Sequence, residues 1–123
     1  MALEQRSVRY ILVPDGSTLF FETVGTKKGF TISAELRSAG PVLKSWQHDE
    51  LVAAEQKHVL RSPKNYDLIV DVVFTGTETV DVDVKTRIIR LDGTQHSVTK
   101  ALSFSGKSPT RQSGTAQIVT RKS

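Results

Sequence analysis

A chain of 123 residues with no cysteine can form no disulfide framework, thiolate metal site or cysteine nucleophile, and its length suits one domain whose core needs no covalent staple. Apolar residues make up 37% and charged residues 24%, spread along the whole chain, which argues against global disorder. The formal charge of +4 is uneven: residues 1–92 carry 12 basic and 13 acidic side chains, residues 93–123 carry 5 basic and no acidic ones.

Those five are Lys100, Lys107, Arg111, Arg121 and Lys122, diluted by Ser, Thr, Gly and Gln. Dedicated basic patches are denser, so the first reading is a solvated edge. The second is a contact for an anionic partner, carried by Lys107, Arg111, Arg121 and Lys122. The first seven residues lack the apolar centre of a signal peptide, and no run approaches the roughly 18 apolar residues that span a bilayer. The expectation is an intracellular protein, or one exported without a cleaved signal peptide, with no membrane partner.

In chain order, residues 7–13 are β-branched and aromatic and stop at the turn Pro-Asp-Gly-Ser (14–17). A second strand over 18–24 ends in Gly-Thr-Lys-Lys-Gly (25–29), read as a hairpin loop. A third follows at once, Phe30, Ile32, Ala34 and Leu36 alternating with Thr31, Ser33 and Glu35. Residues 42–46 make a short strand. Residues 49–58 then change in texture: Asp49 suits an N-cap, and Leu51, Ala54, Glu55 and His58 fall at helical spacing. This predicts one short helix, against the alternative of two short strands, 51–54 and 58–60.

After the break at 61–65, three strands are expected over 66–74, 80–91 and 95–104. Thr-Gly-Thr-Glu joins the first pair, and Asp92-Gly93 gives the second a type I′ hairpin signal. In the middle strand Val80, Val82, Val84, Thr86 and Ile88 share the core face, and Asp81, Asp83, Lys85 and Arg87 the wet one. Residues 105–114 contain no apolar side chain and read as a mobile loop before a closing strand at 115–120. About eight strands and at most one helix indicate an all-β, mainly antiparallel sandwich as one domain over 1–123, with a barrel as the alternative. Residues 7–46 and 66–120 suit its two sheets.

Trp46, beside Gln47, His48 and Asp49 near a strand end, is the best pointer to a ligand, because an indole flanked by polar groups can stack on a sugar or a base. A lone tryptophan in a small domain is more often core. Asp71, Asp81 and Asp83 on adjacent strands could pair as carboxylates or bind Ca²⁺, but a solvated charged face explains them more simply. The histidines 48, 58 and 96 have no local ligand spacing, so no metal or other cofactor is expected. Gly106-Lys107-Ser108 lacks the rest of a phosphate-binding loop, and Ser occurs in no nucleophile elbow. Consecutive Phe20-Phe21 and Ile88-Ile89 must point to opposite faces of their strands, which suggests a covering partner or self-association.

The functional expectation is a non-catalytic binding module recognising a carbohydrate or a protein through loops or a sheet face, with a homo-oligomer among its forms. The alternative is a structural or assembly subunit, such as a virion or appendage component. A carboxylate-based hydrolase comes third. Nucleic acid comes last, since the basic excess is sparse and lacks interleaved aromatics.

Overall fold

The computed structural model describes residues 6–25, 28–61, 65–90 and 97–121. In chain order its elements are β1 (Ser7–Pro14), β2 (Thr18–Gly25), β3 (Phe30–Ser38), β4 (Val42–Trp46), α1 (His48–Ala53), β5 (Gln56–Val59), β6 (Asn65–Phe74), β7 (Val80–Ile89), β8 (Ser97–Gly106) and β9 (Thr110–Arg121). Two sheets pack face to face, β1-β9-β6-β3-β4 and β5-β2-β7-β8, giving an all-β sandwich and not a closed barrel. Strand pairs run antiparallel except β1 and β9, which are parallel.

The two-residue rhythm decides which side of each strand faces inward. On β7 Val82, Val84, Thr86 and Ile88 are buried while Asp81, Asp83 and Lys85 are exposed. On β6, central in its sheet, Tyr66, Leu68, Val70, Val72 and Phe74 are all buried. Fully burying a side chain of this size stabilises by about 1.5–3 kcal/mol, so one misregistered strand would forfeit several such contributions at once. The inward residues of both sheets form one hydrophobic cluster.

The sheets are not the two halves of the chain. β2 and β5 join β7 and β8, while β1, β3 and β4 join β6 and β9. Among the described strands only β3–β4 and β7–β8 are neighbours joined within one sheet; the remaining connections cross between sheets. The connections from β2 to β3 and from β6 to β7 therefore join different sheets and are not hairpins. Turn residues permit a reversal without fixing whether the next strand pairs beside the last or opposite it. The Asp92-Gly93 hairpin signal lies outside the described residues, although β7 and β8 do pair in continuous register from Val80 opposite Gly106 to Ile89 opposite Ser97.

One polar chain ties the sheets together inside the core. The Tyr10 hydroxyl on β1 donates to Thr86 on β7, 3.0 Å from its carbonyl oxygen and 2.7 Å from its Oγ1. Thr86 Oγ1 in turn donates to the Lys100 carbonyl on β8 at 2.9 Å. These bonds satisfy polar groups that burial would otherwise leave costly.

Two expectations are corrected. Helix α1 covers only His48–Ala53, with Gln47 and not Asp49 as its N-cap, and the Gln47 amide donates to Glu50 Oε1 at 3.1 Å. It stops where Ala54 turns extended, and the Gln56 side chain donates to the Glu50 and Ala54 carbonyls at 3.0 and 3.2 Å. From Gln56 the chain is a strand against β2, so the helical spacing at Glu55 and His58 was coincidental.

The second correction concerns 105–114, which is not a mobile loop. β8 runs to Gly106, β9 begins at Thr110, and residues 110–119 pair with β6 without interruption. The inward positions here lack large apolar side chains because rings from neighbouring strands already fill the space. A Cβ on Gly114 would lie 2.8 Å from Phe104 Cζ, and one on Gly106 2.9 Å from Phe74 Cδ2. Gln112, also inward, donates to the Ser105 carbonyl at 2.8 Å.

Two outcomes follow. Gly114→Ala forces a methyl into the Phe104 ring and is expected to lower the unfolding free energy by about 1–3 kcal/mol, read by chemical denaturation. Tyr10→Phe removes the intersheet donor and is expected to cost about 1–2 kcal/mol at neutral pH. Burial raises the Tyr10 pKa, outweighing the lowering by its hydrogen bonds to Thr86 and Lys100. The unfolded phenol thus ionises first, and wild-type stability falls as pH rises above about 10. Tyr10→Phe should flatten that alkaline decline, and an unchanged decline would show another group to be responsible.

Candidate interaction surface

The four residues around Trp46 do not make a stacking site. Trp46 ends β4, is 0% exposed, and meets Phe21 of the opposite sheet edge to face, with centroids 4.7 Å apart and planes at 84°. Its faces belong to the core, so no sugar or base can lie on them. Lys44 Nζ sits 5.4 Å from the ring centroid. The indole Nε1 is buried without a hydrogen-bond partner. Gln47 is committed to capping α1, and His48 Nδ1 accepts from the Ile32 amide at 3.2 Å with its ring edge-on to Phe30. Asp49 is exposed in the first helical turn. The segment is a latch holding the crossover between sheets.

The other candidates are dispersed too. Asp71 faces out from the five-stranded sheet, where it accepts from the Ser113 hydroxyl, while Asp81 and Asp83 face out from the other sheet. The trio cannot converge on one ligand. Among the described residues no three acidic or histidine side chains gather as a metal site. His96 lies outside the described residues. Among the basic candidates Lys107 occupies the β8–β9 turn, Arg111 faces out near the start of β9, and Arg121 ends this twelve-residue strand, about 36 Å from its beginning. Lys122 lies outside the described residues. These positions form no single patch.

The arrangement with the most recognition chemistry is the outer face of β5-β2-β7-β8, which no single motif announces. Register assigns it row by row: Val59, Thr18 and Ile89; then Lys57, Phe20, Arg87 and Thr99; then Glu22, Lys85 and Ala101; then Val24, Asp83 and Ser103. Phe20 is half-buried because the Arg87 guanidinium lies over its ring, 4.7 Å from the centroid. The same guanidinium reaches both Glu55 carboxylate oxygens at 3.3 Å. An exposed pair of this kind adds little stability, so its consequence is orientation: Arg87 is held flat across the sheet.

The β8 side chains on this face are small, and the surface sinks beside them. One depression of about 290 Å³ is lined by Glu22, Glu55, Lys85, Arg87 and Thr99. A second of about 220 Å³ is lined by Val24, Asp83, Lys85, Thr99, Lys100 and Ala101. Lys85 and Thr99 belong to both, so the two adjoin. A third cleft of about 160 Å³ opens between β1 and β8, lined by Arg9, Tyr10, Ile11, Val13, Ile88, Arg90 and Lys100. Ile11 there is 59% exposed, the most exposed large apolar side chain of those described.

No family model, curated protein or solved structure matches the chain. Among the described residues no helix is long and apolar enough to cross a membrane.

At the edge of the four-stranded sheet away from β8, burial and, second to it, the charge of Lys44 lower the pKa of His58 on β5. The unfolded imidazole takes up its proton first as pH falls. Stability is thus unaffected at high pH and declines as pH drops below about 6.5 toward the folded value. Thermal unfolding followed from pH 8 to pH 5 should show the melting temperature of His58→Gln falling less than that of the wild type.

Proposed function

We propose that the chain is a non-catalytic recognition module whose partner is a protein, engaged across the outer face of β5-β2-β7-β8. The observation that carries this reading is the pair of adjoining depressions on that face, where charges of both signs surround small side chains. Such a surface suits a partner presenting its own interspersed charges, because complementary potentials set register and exclude wrong partners. Half-buried Phe20 beneath Arg87 supplies an apolar centre, and aromatic and arginine side chains dominate binding energy at protein interfaces.

A carbohydrate partner is less well supported. Sugar stacking needs a bare aromatic face, and seven of the eight aromatic side chains are buried: Tyr10, Phe21, Phe30, Trp46, Tyr66, Phe74 and Phe104. The eighth, Phe20, is covered by Arg87.

The test compares the wild type with the double variant Lys85→Glu, Arg87→Glu. Both side chains are on the wet face, so the variant should keep the wild-type far-ultraviolet dichroism spectrum. Immobilised wild-type protein is expected to retain, from the cells it comes from, a protein that the variant loses, and to retain nothing on a glycan array. Equal retention by both, or specific glycan binding, would remove the basis for this reading.

A further inference from the structure

We infer that the edge of β8 that no other described strand pairs is a self-association site, at which a second copy of this chain pairs antiparallel about a two-fold axis through Leu102. The two four-stranded sheets would then become one continuous eight-stranded sheet. This goes beyond the partner surface just described and uses the rim of the sheet in place of its face.

The first ground is a contrast among the four sheet edges. An exposed edge strand is a template for another strand, and proteins blunt it by shortness, bulges, proline or charge. β1 carries Pro14 and a register shift between Tyr10 and Val13. β4 has five residues, Lys44 among them, with a register shift between Leu36 and Arg37 in its pairing. β5 has four residues and includes Lys57. β8 has ten residues, no proline, no register shift and no acidic residue. Its one charged side chain, Lys100, is turned inward, with Nζ over the Tyr10 ring at 5.2 Å and donating to the Arg9 carbonyl. The guard residue is thus folded away from the edge.

The second ground is charge complementarity, which selects the register. β7 lies immediately behind β8, and Asp81, Asp83, Lys85 and Arg87 stand beside Ser105, Ser103, Ala101 and Thr99. With Leu102 opposite Leu102 of the second copy, Ala101 faces Ser103 and Thr99 faces Ser105. This aligns Lys85 with Asp83 of the second copy and Arg87 with its Asp81, and symmetry repeats both pairs. Three strand spacings put the Cα atoms about 14 Å apart, and a lysine extended over the small residues between brings the charges within the Debye length of roughly 8 Å. Arg87 leans away toward Glu55, so the Lys85–Asp83 pair does most of the selecting. Neighbouring registers are worse: centring on Ala101 aligns Lys85 with Lys85, on Ser103 Asp83 with Asp83, and on Lys100 Arg87 with Lys85.

The chain has no cysteine, which allows a clean test. Residues directly opposite across an antiparallel pair have Cβ atoms about 4.5–5.5 Å apart, whereas diagonal neighbours are roughly 7–8 Å apart. An equimolar mixture of Ala101→Cys and Ser103→Cys chains should therefore form a disulfide-linked heterodimer in mild oxidant, and either variant alone should link poorly. Sedimentation across a concentration series should show a species of twice the chain mass. Asp83→Lys should weaken association about ten-fold or more, and the swap Asp83→Lys, Lys85→Asp should restore it.

A monomer throughout the series overturns the proposal, as does a dimer that crosslinks equally well from either cysteine variant alone. Concentration-independent protection against hydrogen exchange of the β8 amides that point away from β7 also overturns it, because another part of the same chain would then cover the edge. None of these outcomes bears on retention of a partner by the sheet face, so the two proposals fail separately.

Discussion

Each sheet of this molecule has only one face that can leave water, and that constraint governs everything else in it. Alternation on β7 and β6 gives each strand a row of apolar side chains and, on β7, a matching row of charges. A single such sheet would expose its apolar row. Two sheets facing each other remove both rows from water, in a shared core that takes in seven of the eight aromatic rings. Trp46 and Phe21, from opposite sheets, meet edge to face at 4.7 Å, and the Tyr10–Thr86–Lys100 chain adds directional bonds where the packing alone has none.

Concentrating the rings inward strips the exterior of bare aromatic surface. What the outer face of β5-β2-β7-β8 presents to solvent is therefore charges and depressions in place of rings. The orphan indole nitrogen of Trp46 shows how strongly ring burial is favoured. A buried unsatisfied donor costs about 1–3 kcal/mol, comparable to the gain from burying one large side chain, yet the ring is fully enclosed.

Much of the fold was legible in the sequence because period-2 alternation is local. β1, β2, β3, β4, β6 and β7 were readable within two residues at either end, as were the wet residues of β7. Sheet membership was not, since pairing is a long-range choice that turn residues leave open. The stretch 105–114 misled for a subtler reason. Its inward positions, Gln112 and Gly114, are small or polar because Phe74 and Phe104 from other strands occupy their volume, so the apolar signal lay elsewhere in the chain. The buried run Gln112, Gly114, Ala116, Ile118 does alternate with outward residues, and its growth in size from Gly114 to Ile118 was the available clue. The site was less legible still. Trp46 drew attention by its rarity, although rarity says nothing about exposure. Phe20, Glu55, Lys85 and Arg87 come from two strands and the α1–β5 junction, and only register brings them together.

One feature of β8 connects the face and the edge. Thr99, Ala101, Ser103 and Ser105 are all small, and each lies beside a long or charged residue of β7. On the face, that step in side-chain length produces the depressions between Lys85, Arg87 and the sheet rim. At the edge, it leaves nothing bulky between the charges of β7 and a strand added to β8. Larger residues at Thr99 and Ala101 would fill the depressions, and larger residues at any of the four would shield the charges from an incoming strand. Inward-turned Lys100 lines the smaller of the two depressions and makes the Tyr10 contact beneath. The two outward properties therefore share Thr99 and Ala101, while the guard residue reaches from the core side of the strand to β1.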